Sequence, residues 1–491
     1  MAKIVTVIDI GSNSVRMVIY EKTSRYAFHL LHEAKSKVRI SQDAYHHNGQ
    51  LQQIPMDRAF NALKEFLQIS KSFKSKKILC VATSALRDAP NKHIFLQRVK
   101  QQLGLKIKII SGEKEAYFGA LACANLLPKQ TQAMSIDIGG GSTEIAFIDN
   151  DNVDEKTYSL KLGTVRLKEL YFDKNDIEGA KEYIDTQLAT IPFKEITTLI
   201  GIGGTFRAVS SAIAQFKDYP LEKLHALEYG IDIFDLYIQK VLDAQNTQEL
   251  KDLFIKKDRY DVIKPGVFIL QRVIHHLNIT KIITSGAGVR EGVYLNDLLR
   301  TSKGKFPYNY NTSVRYILDS FVSNKQYANN LASLSKKLFD LTHHYFEIPK
   351  QYRTSLSLSA KLYSAGSSVH FYSQHKHSYY LVLTALEYGF RHEDILLIAT
   401  LCKYAKNKLP SQQHLHKYQL LLPEAQITHH LSYLLSLSIA LLSHIPRNID
   451  FDLSFEDGVL EVISDNTLYL AQESVAKLEC SHSDFTVRFT N

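Results

Sequence analysis

One short pattern occurs twice in this chain and constrains its fold more than any other feature. An apolar run ends in Asp137-Ile-Gly-Gly-Gly-Ser-Thr-Glu144, and a second apolar run follows directly. The same pattern opens the chain, where residues 4–8 lead into Asp9-Ile-Gly-Ser-Asn-Ser14 and residues 15–20 form the returning run. The two aspartates are more than a hundred positions apart, which predicts a duplicated domain rather than a short solenoid repeat.

The residue types in these two turns suit phosphate binding. Glycines let the backbone turn tightly and bring N–H groups close to a ligand, and small polar side chains add donors. The predicted phosphate-binding residues of the two turns are Gly11, Ser12, Asn13, Gly139, Gly140, Gly141, Ser142 and Thr143. The carboxylates of Asp137 and Glu144 would repel phosphate, so a bridging cation is predicted, Mg²⁺ or another divalent ion. The alternative interpretation is an ordinary glycine-rich β-hairpin.

Two further glycine-rich turns follow predicted strands. Strand 197–201 leads into Gly203, Gly204 and Thr205, and a helix beginning at Phe206 would direct its N-terminal N–H groups at a phosphate. Strand 281–284 leads into the turn 286–288. Alternating strands and helices predict α/β units, and two such units facing each other across a cleft form the actin-like architecture. An ATP-dependent kinase or ATPase of that fold is therefore one hypothesis.

The length of 491 residues predicts about three domains. We predict actin-like domains over residues 1–125 and 126–300, followed by a mainly helical C-terminal domain over residues 301–491 with a short β tail. A linker-like cluster of Lys, Gly, Pro, Asn and Tyr marks residues 301–311. In the tail, Asp457-Gly458 predicts a hairpin turn between two short strands.

The local pattern also predicts elements between these landmarks. We expect a strand over residues 105–110, an arginine-bearing turn at 163–166, helices throughout 221–277 and a helix over 356–365. A helix that begins near Glu113 follows the sequence Ser111-Gly112.

Composition indicates a cytoplasmic protein with an anionic ligand. The net charge of +9 comes from 59 Lys and Arg against 50 Asp and Glu, and it would attract a polyanion. The four cysteines, Cys80, Cys123, Cys402 and Cys480, are scattered and predict a reducing compartment without a structural zinc site. The N-terminus leads directly into a strand pattern, and no apolar run is long enough to span a bilayer. We expect neither a membrane nor a nucleic acid as partner.

Five motifs together resemble one family. They are Asp9-Ile-Gly-Ser-Asn-Ser-Val-Arg-Met, Ala82-Thr-Ser-Ala-Leu-Arg87, Ile110-Ser-Gly-Glu-Lys-Glu115-Ala, Asp137-Ile-Gly-Gly-Gly-Ser-Thr-Glu144 and Gly288-Val-Arg-Glu-Gly292. In this order they closely resemble the exopolyphosphatase / guanosine pentaphosphate phosphohydrolase (Ppx/GppA) family, over residues 1 to about 300. Residues 301–491 resemble, more weakly, the C-terminal extension of the family's longer members.

The resemblance implies Mg²⁺-dependent hydrolysis of a terminal phosphoanhydride, in inorganic polyphosphate or in guanosine penta/tetraphosphate. It implies Glu115 as the base that activates water, with Glu113 left to helix capping or to the second shell of the water. Arg87 is expected to contact the transferred phosphate, and Asp137, Glu144 and Asp9 to hold the metal. Weaker candidates for a polyanion path are Arg16, Arg39, Arg166, Arg207 and Arg290. A homodimer is also expected.

The C-terminal part departs from the family pattern. Longer members carry an HD-hydrolase-like helical domain with a His followed by an acidic residue, and the corresponding helix here reads Tyr363-Ser364. We therefore expect no second metal site in this domain. Besides hydrolase and kinase, a third hypothesis is a non-catalytic sensor of (p)ppGpp or polyphosphate, although such a module would not need Glu115.

Overall fold

The computed structural model describes residues 3–192, 195–482 and 484–490. It divides the chain into two compact units, the first ending at Tyr310 and the second beginning at Asn311. The sequence pattern placed the corresponding boundary ten residues earlier, after residue 300. Each unit is described separately below.

The N-terminal unit begins with a first lobe built on a mixed sheet. Its strands are β1 (Ile4–Ile10), β2 (Val15–Lys22), β3 (Phe28–Ser36), β4 (Lys77–Ala82) and β5 (Lys108–Ile109). Its helices are α1 (Gln53–Ser72), α2 (Ser84–Asp88), α3 (Lys92–Leu103) and α4 (Gly112–Leu126). The strand order is β3-β2-β1-β4-β5. Apolar residues of β1 and β2, such as Ile8 and Met17, are fully buried, as their apolar runs predict.

The second lobe repeats this plan with additions. Its strands are β6 (Gln130–Ile138), β7 (Thr143–Asn150), β8 (Asn152–Val153), β9 (Tyr158–Leu160), β10 (Thr198–Ile202), β11 (Leu227–Gly230) and β12 (Lys281–Thr284). Its helices are α5 (Thr164–Leu170), α6 (Ile177–Leu188), α7 (Gly203–Phe216), α8 (Ile231–Asp243), α9 (Thr247–Asp252), α10 (Ile263–His275) and α11 (Val289–Leu298).

The strand register establishes the duplication. Strand β1 pairs antiparallel with β2 and parallel with β4, and β6 pairs antiparallel with β7 and parallel with β10. Within the two hairpins, Asp9 lies opposite Arg16 and Asp137 lies opposite Glu144. The predicted repeat of an α/β unit is therefore confirmed, with Asp9 and Asp137 at equivalent positions.

Helices α4 and α11 join the two lobes. Although α4 follows the first sheet in sequence, it packs against β6 and β7 of the second sheet, while α11 contacts both α4 and β1. The two helices cross closely, because a Cβ atom on Gly292 would overlap the backbone carbonyl of Phe118. This crossing fixes the position of the first turn of α4.

The C-terminal unit is mainly helical. Its helices are α12 (Thr312–Phe321), α13 (Lys325–Thr342), α14 (Tyr352–Leu362), α15 (Gln374–Ala385), α16 (His392–Tyr404), α17 (Gln412–Lys417), α18 (Ala425–Leu441) and α19 (Tyr469–Val475). A small sheet contains β13 (Asp452–Glu456), β14 (Val459–Ile463) and β15 (Thr486–Thr490). Asp457 and Gly458 both have positive φ and connect the antiparallel pair β13–β14, so the predicted hairpin turn is confirmed. Within the described ranges, no helix is long and apolar enough to cross a membrane.

Four local predictions were wrong, each because tertiary partners decided the outcome. Strand β5 pairs only with Val81 and Ala82 and is limited to two residues. Residues 227–230 form a strand instead of a helix because they pair with β12 at the sheet edge. The predicted turn at 163–166 begins helix α5. The helix predicted to reach residue 365 ends at Leu362 and continues as a 3₁₀ turn.

A buried histidine lies inside the C-terminal unit. His430 on α18 is 0% exposed, and neither ring nitrogen has a hydrogen-bond partner among the described residues. The rings of Phe346 and His482 lie 4.6 and 5.1 Å from its ring. Burial, together with the charge of His482, lowers the pKa of His430 to about 3. Because the unfolded chain takes up this proton near pH 6.5, the unfolded state is favoured as the pH falls below that value.

We predict that His430→Leu makes the C-terminal unit less sensitive to acid. Between pH 6.5 and about 3, the wild-type histidine costs at most about 1.4 kcal/mol of stability per pH unit, and the variant removes this term. Urea unfolding followed by circular dichroism at pH 7 and pH 5 measures the difference. His416→Leu, at an exposed position, should keep the wild-type pH dependence. An unchanged slope in His430→Leu would contradict the assignment.

Candidate active site

The two glycine turns have the same internal geometry. The Gly11 N–H donates to the Ser14 carbonyl at 3.1 Å, and the Gly139 N–H donates to the Ser142 carbonyl at 2.9 Å. Each turn follows the first strand of its lobe. They face each other closely, since a Cβ atom on Gly140 would lie 2.9 Å from the Cβ of Ser12. The duplicated motif therefore forms two opposed turns across one cleft.

Helix α5 holds the second turn in place. The N–H groups of Thr164 and Val165 donate to the carbonyls of Gly139 and Gly140, both at 2.9 Å. Gly163 precedes them and packs so closely that a Cβ atom would overlap the Gly140 carbonyl. The first N–H groups of α5 thus find their partners in the glycine turn, which explains why a helix begins where the sequence predicted a turn.

A polar cavity of about 150 Å³ lies between the turns. Most of the predicted site residues line it, and they come from both lobes. These lining residues are Asp9, Gly11, Ser12, Asn13, Glu115, Asp137, Gly139, Gly140, Ser142, Glu144, Gly203, Gly204 and Thr205. The last three form the first turn of α7, which begins at Gly203 rather than at the predicted Phe206.

Three predicted site residues, Arg87, Gly141 and Thr143, are not among the residues that line this cavity. The Thr143 side chain is fully buried, and its hydroxyl donates to the Leu162 carbonyl at 2.8 Å. The Gly141 carbonyl accepts a hydrogen bond from the Arg166 Nε at 2.9 Å. These two hydrogen bonds connect the turn to the body of the second lobe. The phosphate-binding roles of Gly141 and Thr143 stay predictions.

Two equivalent aspartates form the floor of the cavity. Burial raises the pKa of Asp9 to about 6, and the charge of Asp137 adds to the rise. The Oδ1 atom of Asp9 is buried and has no hydrogen-bond partner among the described residues. Asp137 approaches α7 so closely that a Cβ atom on Gly203 would overlap its Oδ1. Gly203 also has a φ of +84°, so two constraints require glycine at this position.

One end of the cavity holds Glu115 and Glu144, and Arg87 contacts both of them from outside the lining. Ser111 caps α4 by accepting a hydrogen bond from the Lys114 N–H. Glu115 therefore lies in the first turn of the helix, where its side chain points inward and the residue is only 8% exposed. Arg87 Nη1 donates to Glu115 Oε2 at 3.0 Å, and Arg87 Nη2 lies 3.9 Å from Glu144. Glu113 points to solvent.

Burial strongly affects both glutamates at this end. It raises the pKa of Glu115 well above its usual value, and the nearby Glu144 raises it further while Arg87 opposes the rise. Burial likewise raises the pKa of Glu144 to about 8, although Ser159 donates a hydrogen bond to it at 2.8 Å. Carboxylates with raised pKa values in a cleft are typical of proton-transfer sites.

The opposite end is cationic. It contains Arg16, Arg207 and Arg290, which the sequence marked as weaker candidates, and also Lys35 and Arg259, which it did not single out. The Arg259 guanidinium lies against Gly204, where a Cβ atom would overlap it. Arg259 belongs to a short 3₁₀ turn that carries no recognisable motif. The basic surplus of the chain was therefore the one sequence signal for a cation at this place.

Cations at this end repel one another. Burial lowers the pKa of Arg16 to about 10, with Arg290 and Arg207 adding to the effect. Burial and Arg290 also lower the pKa of Arg207. Arg290 is held by Glu33 at 2.8 Å. A bound anion would reduce the repulsion among these cations.

Two further arginines bridge the lobes instead of lining the cavity. Arg39 Nη2 lies 2.6 Å from Asp261 of the second lobe. Arg166 Nη2 lies 3.2 Å from Asp88 of the first lobe. Asp88 in turn lies 3.7 Å from Arg87 Nε. These pairs connect the two walls of the cleft.

The carboxylates suit a cation that shares its ligands with a substrate. Within the described part of the chain, no group of three or more His, Cys, Asp or Glu side chains is arranged to hold a metal ion. Magnesium, however, is often bound by one or two carboxylates, with water and substrate phosphate completing the shell. The partnerless Oδ1 of Asp9 and the raised pKa values of Asp9, Asp137 and Glu144 are consistent with such a cation.

Comparison with known proteins gives a consistent result. A family model described as the Ppx/GppA phosphatase family matches residues 18–301, and a model described as Ppx/GppA phosphatase, domain III, matches residues 311–454. A guanosine-5'-triphosphate,3'-diphosphate pyrophosphatase of Photobacterium profundum is 26% identical over 424 residues, with 83% of this chain and 82% of the relative covered.

A second relative is similar over the N-terminal unit. It is a bifunctional 3-dehydroquinate synthase/phosphatase of Fusobacterium nucleatum, 31% identical over 300 residues, or 57% of this chain. This chain spans only 44% of that relative's length. Among solved structures, a Ppx/GppA family member of Aquifex aeolicus aligns with a TM-score of 0.53 and 27% identity, covering 61% of this chain and 99% of that one. These likenesses confirm the predicted actin-like fold.

We predict that Gly163→Ala destabilises the N-terminal unit by about 1–3 kcal/mol, because the added methyl group overlaps the Gly140 carbonyl. Gly230→Ala is the matched control, since a Cβ atom there meets no atom within 4 Å, and it should change stability by no more than about 0.5 kcal/mol. Thermal unfolding of both variants measures the effect. Equal stabilities would show that α5 does not hold the turn in the way described.

Proposed function

This chain belongs to the Ppx/GppA phosphatase family, and on that premise we propose that it hydrolyses terminal phosphoanhydride bonds. Its substrate is inorganic polyphosphate, and each turnover releases one orthophosphate. Because the family consists of phosphatases, we do not retain the hypothesis of an ATP-dependent kinase. The inward position of Glu115 speaks against a purely binding sensor.

One observation carries the proposal. The two opposed glycine turns meet at a cavity whose one end holds the buried Glu115 beside Arg87 and whose other end is lined by cations. Phosphate groups would bind at the turns through N–H groups and hydroxyls. The terminal phosphate would then lie toward Glu115, and the remainder of the chain would extend toward Arg16, Arg207 and Arg259.

The reaction needs a base and positive charge near the transferred phosphoryl group. Glu115 takes a proton from water, the water oxygen forms a bond to the terminal phosphorus, and the bridging P–O bond breaks, with the shortened polyphosphate as leaving group. Its raised pKa makes the Glu115 carboxylate a stronger base than an exposed glutamate. Arg87 turns its guanidinium fork toward the phosphate, a contact that lysine cannot reproduce.

A divalent cation, Mg²⁺ in our proposal, would be held by Asp137, Glu144 and Asp9 together with water and substrate oxygens. When bound, it offsets the negative charge of the phosphate and of the three carboxylates. Gly11, Ser12, Asn13, Gly139, Gly140, Ser142, Gly203, Gly204 and Thr205 orient the phosphate groups. Thr143 and Gly141 support the turn from behind.

The cavity lining favours an inorganic chain. None of the described residues that line it is aromatic, while Arg16, Lys35, Arg207, Arg259 and Arg290 all contribute to it. A linear polyanion can pair its phosphate groups with several of these cations, whereas a purine base would find no aromatic ring to stack on. The similarity to a guanosine-5'-triphosphate,3'-diphosphate pyrophosphatase over 83% of the chain makes guanosine pentaphosphate the second candidate substrate.

Four expectations from the sequence stay predictions. They are the homodimer, the cytoplasmic location, the lack of nucleic-acid or membrane partners and the division of the N-terminal unit into domains 1–125 and 126–300.

We predict that Glu115→Gln lowers phosphate release by roughly 10²–10⁴-fold, because the amide cannot accept the proton of water. Malachite green detection of orthophosphate from polyphosphate measures the rate, and filter binding of labelled polyphosphate should change little. Glu113→Gln, two residues away and exposed, is the matched control and should retain wild-type turnover. Substantial turnover in Glu115→Gln would remove Glu115 from the proposed mechanism.

We also predict a higher kcat/KM for long-chain polyphosphate than for guanosine pentaphosphate, because the cationic end can contact several phosphate groups at once. Side-by-side phosphate release with purified protein and added Mg²⁺ tests this expectation. Arg259→Ala should raise KM for polyphosphate more than it lowers kcat. The reverse substrate order would contradict the proposed preference while leaving the hydrolase assignment intact.

A further inference from the structure

A second cavity, of about 500 Å³, lies wholly within the C-terminal unit. Its lining includes Tyr327, Tyr363, Phe371, Gln374, Lys406 and Lys477. Its volume is in the range of small-molecule sites. The pair Tyr363-Ser364, which stands where a His followed by an acidic residue would be expected from the family resemblance, forms part of this wall.

The wall around Tyr363 is tightly built. The Ser378 hydroxyl donates to the Tyr363 carbonyl and accepts from the Gly366 N–H, and Gln374 Nε2 donates to the Tyr363 hydroxyl at 2.9 Å. A Cβ atom on Gly366 would overlap the Gln374 carbonyl. The 3₁₀ turn after α14 is therefore packed firmly onto the start of α15. The cavity is a formed feature of this domain.

The charge of the lining selects for anions. Lys406 and Lys477 both belong to it, and none of the described lining residues is acidic. Neither lysine makes an ion pair with any residue in the described ranges, and both are exposed. Because the lining also lacks His and Cys among those residues, it offers no ligand set for a metal ion. An anionic group would find two available cations here.

The rest of the lining combines apolar and aromatic side chains with six serines and three side-chain amides. Phe371 is 69% exposed and Ile445 is 57% exposed, which are unusual positions for large apolar side chains beside a cavity. Tyr327 and Tyr363 add two more rings, and burial raises the pKa of both phenols, so they stay neutral. A ligand with a flat ring would cover this surface. The side-chain amides of Asn324, Gln374 and Asn407 lie beside it and can match the polar edge of such a ring.

We propose that this cavity is a binding site for a nucleoside monophosphate or a closely similar organic anion with a planar heterocycle. The ring packs against Phe371 and the two tyrosines, and the phosphate lies toward Lys406 and Lys477. This site is separate in composition from the cleft of the N-terminal unit. The inference does not depend on the hydrolase proposal.

Isothermal titration of the full-length protein with AMP and with GMP, without divalent cations, tests the proposal. At least one of the two should bind, and the double variant Lys406→Glu/Lys477→Glu should weaken that binding roughly tenfold or more, through loss of two charge-assisted contacts. Lys408→Glu is the matched control, since Lys408 is an exposed lysine two residues away that does not line the cavity. It should bind like the wild type.

The variant Phe371→Ala, and titrations with a nucleoside alone or with phosphate alone, separate the contributions of the ring and of the phosphate to the binding free energy. Removing this exposed ring should weaken nucleotide binding without lowering the melting temperature. Adenosine or guanosine alone, and inorganic phosphate alone, should each bind more weakly than the monophosphate. No binding of AMP or GMP, binding that Lys406→Glu/Lys477→Glu leaves unchanged, or inorganic phosphate binding as tightly as the nucleotide would overturn the proposal.

Discussion

The close crossing of α4 and α11 is the constraint on which the site depends. A side chain at Gly292 would overlap the Phe118 carbonyl, so glycine lets α4, which begins beside the first sheet, pack onto the second. The first turn of α4 then places Glu115 next to Arg87 of the first lobe and Glu144 of the second. Without this approach, Glu115 and the glycine turn would belong to separate surfaces.

Once the lobes are held together, the cleft concentrates charge that the protein alone does not neutralise. Buried carboxylates with raised pKa values occupy the floor and one end. The other end holds Arg16 and Arg207, whose pKa values are lowered by burial and further by neighbouring arginines. Desolvation makes both groups costly in the free protein. A bound cation and a polyanion would offset both costs together, which connects the stored electrostatic energy to the proposed hydrolysis.

Much of the fold could be predicted because its signals are local. Strand 281–284 has the bounds that its pattern indicated, and the predicted turn at Asp457-Gly458 connects β13 to β14, since apolar runs and turn signals act within one element. Predictions at 105–110, 163–166 and 227–230 failed because pairing with distant segments set those structures. Arg259 was missed for the same reason, because it reaches the cavity only through the packing of its 3₁₀ turn against Gly204.

The sequence by itself determined the two glycine turns, their equivalence and the chemical types of the side chains around them, because these depend on residues close together in the chain. Only the tertiary structure decided that Thr143 and Gly141 support the turn, that Arg39 and Arg166 bridge the lobes and that Glu115 is paired with Arg87. These outcomes depend on which distant groups come within hydrogen-bonding distance, and burial then sets the protonation of each carboxylate. The position of a side chain relative to the cleft is a property of packing, which local residue spacing does not contain.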